Sequence, residues 1–133
     1  MVHEKQIEIR WRDLDAFRHV NNAVYATYLE ECRDEWLERA LGADGDLWNY
    51  VLARVEIDFR RELTQADDVV VVTCRLDRLG TSSLATREEI RTAAGELSAE
   101  AAAVLVARDR ETGGSRPLAA AERAAFERAL EPA

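Results

Sequence analysis

Between Asn21 and Gly42 the chain carries an apolar stripe too broad for a helix lying on a surface. Tyr25, Leu29, Cys32, Trp36 and Ala40 recur at helical spacing, joined by Tyr28 and Leu37. Thr27, Glu31, Asp34 and Glu38 form a polar face. Asn21 is a suitable N-cap, because its side-chain oxygen can satisfy an otherwise orphan amide of the first turn. With that cap, Val20 and Tyr25 occupy the two positions of a hydrophobic staple. Gly42 supplies the stop after about Leu41. Glu35 and Arg39 have the spacing of an i,i+4 ion pair, worth a few tenths of a kcal/mol at most. A helix with so wide an apolar face must be covered, and the rest of the chain offers strands to cover it.

Residues 4–12 alternate, with Ile7, Ile9 and Trp11 on one side and Glu8, Arg10 and Arg12 on the other. After a Gly- and Asp-rich loop at 42–46, a long strand is expected from about Tyr50 to Arg61. There Val55, Ile57 and Phe59 alternate with Arg54, Glu56, Asp58 and Arg60. Val69–Leu79 follows, with Val70, Val72, Cys74 and Leu76 on the core side. Ser83–Arg91 and Leu97–Arg108 are the next two strands, the last with small residues on both faces, which would let the central helix approach closely. Ala119–Leu130 has the pattern of a short amphipathic helix anchored by Phe126 and Leu130. The four strands after the long helix are joined by short turns, which makes them antiparallel neighbours. The expected class is α+β: a five-stranded antiparallel sheet wrapped around one long central helix, plus a short C-terminal helix, in one domain spanning 1–133. The strand at 50–61 is the expected edge. A long alternating edge must be covered or paired, so a homodimer through it is expected, and a monomer in sedimentation would count against that.

Composition narrows the function. The chain has 133 residues, 47% of them hydrophobic, which is enough for a core. Net charge is −8, from 26 acidic and 18 basic residues, which argues against a nucleic-acid partner. No apolar run is long enough to span a bilayer, and the first residues do not have the pattern of a secretory signal, so a cytoplasmic location is expected. Cys32 and Cys74 lack any metal-binding spacing and fit buried free thiols. No G-x-S-x-G, G-x-G-x-x-G or P-loop is present.

The chemistry is concentrated just before the helix. Trp11–Tyr25 packs Asp13, Asp15, His19, Asn21 and Asn22 into a short loop that runs into the helix N-terminus. If Asn21 spends its side chain on a later amide, that of Asn22 stays free at the positive end of the helix dipole. It could then stabilise an oxyanion, while a carboxylate facing it attacks a carbonyl carbon or activates water. Asp13 fits a turn former. Asp15 fits either a turn former or that carboxylate. His19 fits a structural hydrogen-bonder or a general base. Glu31, on the helix, is a second candidate carboxylate. Tyr25, Tyr28, Leu29 and Trp48 are candidate pocket walls.

The run Arg12-Asp13-Leu14-Asp15-Ala16-Phe17-Arg18-His19-Val20-Asn21-Asn22-Ala23-Val24-Tyr25, followed by Tyr28, Glu30-Glu31 and Arg33, resembles the signature of the hotdog-fold acyl-CoA thioesterases. The 4-hydroxybenzoyl-CoA thioesterase-like subfamily is the nearest in pattern. Val55–Arg61, Asp67–Val71 and Arg78–Ser83 also look like later stretches of that family, so nearly the whole chain except its last helix is covered. The resemblance implies a hotdog fold dimerising edge to edge with active sites at the interface. It implies thioester hydrolysis with Asp15 as the catalytic carboxylate and the Asn22 amide as oxyanion donor. His19, Asn21 and Tyr25 match positions that shape the pocket and loop. Coenzyme A enters as part of a fatty or aromatic acyl-CoA substrate, so no metal or separate cofactor is implied. Its phosphates need cations, for which Arg60, Arg61 and Arg78 are candidates that no motif fixes. The expected assembly is a dimer or a dimer of dimers, with no membrane partner. A non-catalytic acyl-CoA binder and an acyl-carrier-protein thioesterase are the alternatives. One departure stands out: Arg18 occupies a position where the family usually has glycine. If that position needs positive φ, the loop is strained.

Overall fold

The computed structural model describes residues 1–42 and 49–130. The sheet contains β1 (Val2–Glu8), β2 (Tyr50–Phe59), β3 (Val69–Leu79), β4 (Ser83–Thr92) and β5 (Leu97–Ala107) in the order β1-β3-β4-β5-β2, with every neighbouring pair antiparallel. The long helix α1 (Asn22–Leu41) packs on β1, β3 and β4 and on the C-terminal helix α2 (Ala120–Leu130).

Helix α1 begins and ends where local chemistry dictates. The Asn21 side-chain oxygen accepts the Ala23 amide at 2.9 Å, and Gly42 stops the helix at φ 79°. Its inward face buries Tyr25, Tyr28, Leu29, Cys32, Trp36 and Leu37 against Val70, Val72, Cys74 and Leu76 of β3 and Leu84 and Ile90 of β4. Each large apolar side chain so buried contributes about 1.5–3 kcal/mol. The ring of Trp36 stacks on Phe126 of α2, with centroids 6.2 Å apart. In α2, Phe126 is the anchor as expected. Leu130 faces solvent, and Ala125 and Ala129 complete the buried face because they adjoin Phe126 at helical spacing.

Three further expectations change. The first strand ends at Glu8, and the chain tightens into a 3-10 turn at Trp11–Asp13, which throws Trp11 out to 82% exposure. Glu35 is bonded across the layer by Lys5 and by His3 Nε2 at 3.1 Å, because β1 passes beside it. The buried alanines Ala99, Ala101, Ala103 and Ala107 line the inner side of β5, but α1 runs over β1, β3 and β4. The loop expected through Asp46, and Trp48, lie outside the described residues.

Strand β2 is an edge strand, as its alternation suggested. Among the described residues it pairs only with β5, and Val51, Leu52, Val55 and Phe59 are 37–46% exposed. No helix of the described residues is long and apolar enough to cross a membrane.

Candidate active site

The loop that carries Asp15 is a small hairpin. The Asp15 amide donates to the His19 carbonyl at 3.0 Å, the Arg18 amide donates to the Asp15 carbonyl at 3.0 Å, and Leu14 pairs with Val20. Such a three-residue connection needs its last residue in the left-handed region. That residue is Arg18, at φ 63°, so the position does require positive φ and a non-glycine occupies it. A side chain there costs about 1 kcal/mol or more.

Asp13 holds this hairpin against the core. It is 4% exposed, and its Oδ2 accepts the Tyr28 hydroxyl at 2.6 Å and the Arg10 amide at 2.9 Å. Its carbonyl accepts the Asn21 amide at 2.9 Å. Burial alone would raise the Asp13 carboxyl, but the Tyr28 hydroxyl, the Arg10 amide and the Arg10 charge outweigh it and hold the group below its ordinary value. Burial, reinforced by Asp13, raises the Tyr28 hydroxyl. Asp13 is therefore structural, as its place in the turn suggested. The chain on the far side is tied in by the Val20 amide, which donates to the Leu63 carbonyl at 2.8 Å, and by pairing of His19 with Thr64.

These contacts shape a cleft of about 470 Å³ lined by Asp15, His19, Asn21, Asn22 and Tyr25 together with Phe59, Arg60 and Arg61. Asp15 Oδ1 accepts the Phe17 amide at 2.9 Å, and among the described residues nothing bonds its Oδ2. The first helical amide, that of Asn22, has no acceptor among the described residues, since Asn21 serves Ala23 and Val24. The carboxylate of half-buried Asp15 and a helix N-terminal amide unpaired among the described residues thus share one cleft. His19 Nε2 lies 3.1 Å from Glu62 Oε2. The Tyr25 ring meets Phe59 edge to face at 5.0 Å, and its hydroxyl donates to the Arg61 carbonyl at 3.3 Å. The Ser98 hydroxyl donates to the same carbonyl at 2.7 Å, so the end of β2 is pinned to the start of α1. Burial raises the Tyr25 hydroxyl.

Not every candidate converges here. Glu31 is exposed further along α1 and does not line the cleft. Arg78 lines a different groove with Arg54, Glu56 and Arg87, and it pairs with Asp77 at 3.9 Å. Arg60 and Arg61 do reach the cleft, but both carry carboxylate partners. Arg60 pairs with Glu100 at 2.9 Å, and Arg61 pairs with Glu96 at 2.8 Å and Asp67 at 3.2 Å. A wider groove of about 610 Å³ on the outer sheet face is lined by charged residues such as Arg75, Asp77 and Arg87, which pair among themselves, as on a solvated face. Among the described residues no cluster of three His, Cys, Asp or Glu side chains could hold a metal ion.

Sequence reasoning overlooked a buried ion pair between α1 and β4. Arg33 of α1 donates Nε and a terminal nitrogen to the two Glu88 oxygens at 2.8 and 2.7 Å, and Thr86 donates its hydroxyl to Glu88 at 2.7 Å. The signal was present in the periodicity. Arg33 lies four residues from both Leu29 and Leu37, and Glu88 shares strand parity with Leu84 and Ile90.

The likeness to known proteins agrees with this geometry. Residues 9–131 match the model of the thioesterase-like superfamily. The long-chain acyl-CoA thioesterase FadM of Escherichia coli strain K12 is 30% identical over 116 residues, covering 82% of this chain and 85% of that protein. A thioesterase from Thermus thermophilus, solved in complex with coenzyme A and zinc, superposes with a TM-score of 0.86 at 31% identity, covering 98% of this chain and 96% of that one. Slr0204, a 1,4-dihydroxy-2-naphthoyl-CoA thioesterase from Synechocystis, shares the fold at a TM-score of 0.84 and 18% identity, covering 99% of this chain and all of that one. The chain therefore belongs to the thioesterase-like superfamily, as a thioester hydrolase with the hotdog fold.

Proposed function

We propose that this protein hydrolyses a fatty or aromatic acyl-CoA, with Asp15 as the catalytic carboxylate and the Asn22 amide as the oxyanion donor. The observation that carries the reading is the pairing, in one cleft, of a carboxylate with a free oxygen and the unpaired first amide of α1. The thioester carbonyl points at that amide. Asp15 Oδ2 either attacks the carbonyl carbon, expelling the thiolate and leaving a mixed anhydride that water then hydrolyses, or deprotonates the water that attacks. In both routes a proton from that water ends on the coenzyme, which leaves as its thiol. Tyr25 and Phe59 wall the acyl side. His19, paired with Glu62, orients the loop carbonyl that receives the Asp15 amide. Coenzyme A is part of the substrate, and the mechanism draws on no other cofactor.

The working form is a homodimer through β2. Edge amides and carbonyls and the exposed Val51, Leu52, Val55 and Phe59 support it, and Phe59, Arg60 and Arg61 put the cleft beside that edge, where a partner would close it.

Thiol release from short, long and aromatic acyl-CoAs tests the reading. Asp15→Asn should lower kcat by about 10²–10⁴ while acyl-CoA still binds. Unchanged turnover in that variant would remove Asp15 from the chemistry. In a single turnover in ¹⁸O water, label found in Asp15 identifies direct attack with the mixed anhydride opened at the aspartyl carbonyl, whereas general-base attack puts the label in the released acid alone.

A further inference from the structure

Trp11 and Phe17 stand 82% and 79% exposed, more than any other large apolar side chain among the described residues. Both line a second cleft of about 560 Å³ with Leu14, Arg18, His19 and Gln65. Phe17 and His19 also line the Asp15 cleft, so the two clefts flank the same hairpin. No residue of β2 borders the second cleft, so pairing through that edge leaves it open. Folded proteins seldom leave two large rings bare beside one another unless something binds there.

Arg18 adds the charge. It holds a left-handed conformation that suits glycine better, and a strained side chain at the rim of a site is the kind that function retains. It forms no ion pair among the described residues, whereas the other cations near the chemistry, Arg60 and Arg61, are neutralised by carboxylates. A free guanidinium beside bare aromatic rings suits a ligand with both a π-face and negative charge. An acyl tail lacks that combination. In an acyl-CoA, the nucleotide end has both.

We propose that this cleft holds the 3′-phosphorylated adenosine diphosphate end of the coenzyme, with adenine stacked on the Trp11 ring and phosphate oxygens on Arg18. Pantetheine then passes Phe17 and His19 to bring the thioester to Asp15. The inference rests on the reading of the substrate as a coenzyme A thioester. Base stacking on an aromatic ring contributes roughly a factor of ten in affinity, and an arginine–phosphate contact a similar factor.

The test compares one acyl group carried on coenzyme A and on N-acetylcysteamine, which lacks the nucleotide, in wild type, Trp11→Ala and Arg18→Gly. Glycine keeps the left-handed turn, so loss of folding does not obscure the result. Binding of adenosine 3′,5′-bisphosphate to each protein is measured by calorimetry. In each variant the ratio of kcat/KM for the coenzyme A thioester to that for the short thioester should fall about tenfold, and the bisphosphate Kd should rise by a similar factor. Equal losses on both thioesters would place the acyl or pantetheine part in the cleft and overturn the proposal. So would unchanged ratios with unchanged binding, or a shift in sedimentation showing that a second copy covers the rings. Wild type that binds bisphosphate through Trp11 but cleaves neither thioester would refute the catalytic reading and leave this site standing.

Discussion

At the residue scale, the loop before α1 trades stability for geometry. Arg18 sits at φ 63° where its neighbours need a sharp reversal. Arg18→Gly should therefore raise stability by about 1 kcal/mol in urea unfolding, even as it weakens recognition of the coenzyme. Asp13 works in the opposite sense, tying the hairpin to Tyr28 in the core. Tyr28→Phe leaves a buried carboxylate short of one donor and should cost about 1–3 kcal/mol. The thiols are inert for a related reason. Burial pushes Cys32 up to about 12 and raises Cys74 further, with Glu88 adding to both. A thiol-reactive dye at about pH 8 should label neither in the native protein and both after unfolding.

At the scale of elements, two ion pairs do different jobs. Arg33 and Glu88 join α1 to β4 in the interior, with side chains only 4% and 0% exposed. Removing one partner strands a buried charge, so Glu88→Gln should cost about 3–5 kcal/mol, whereas replacing both by apolar residues of similar volume should cost far less. The second pair docks α2. Arg116 grips Glu122 at 2.6 and 2.9 Å, Tyr50 donates its hydroxyl to the same carboxylate, and the Ala119 amide completes it at 2.8 Å. The Arg116 contact, ahead of Tyr50 and the amide, pulls the Glu122 carboxyl down to about 2 from an ordinary 4.5. Between those values the unfolded chain binds the proton and the folded one does not. The stabilisation is therefore complete above about pH 4.5 and is lost as pH falls toward 2. Thermal unfolding followed from about pH 6 down to about pH 2 should show that loss in wild type, and Glu122→Gln should flatten it.

At the scale of the whole molecule, β2 is a sheet edge that the isolated chain leaves unpaired on one side. Its apolar side chains and unpaired backbone groups favour a second copy. Val55→Lys should shift sedimentation toward the monomer and lower kcat/KM, because the cleft beside Phe59 would lose its closing wall. A wild-type monomer at micromolar concentration would sink the dimer.

Periodicity and capping in the sequence determined the elements. The stripe from Tyr25 to Trp36, the Asn21 cap, the Gly42 stop and the alternation of β3 are local properties, and each element formed where they required. The motif around Asp15 likewise marked the loop, and the mismatch at Arg18 pointed to its φ. Tertiary structure decided which distant groups meet. It gave Arg33 to Glu88 and Glu35 to Lys5, left Glu31 and Arg78 outside the cleft, and turned Trp11 out of its strand to face solvent. Local signals act over a turn of helix or a pair of strand residues, but a site is assembled by packing. Which side chains share a cleft depends on how the sheet lies against the helix, and no spacing along the chain encodes that.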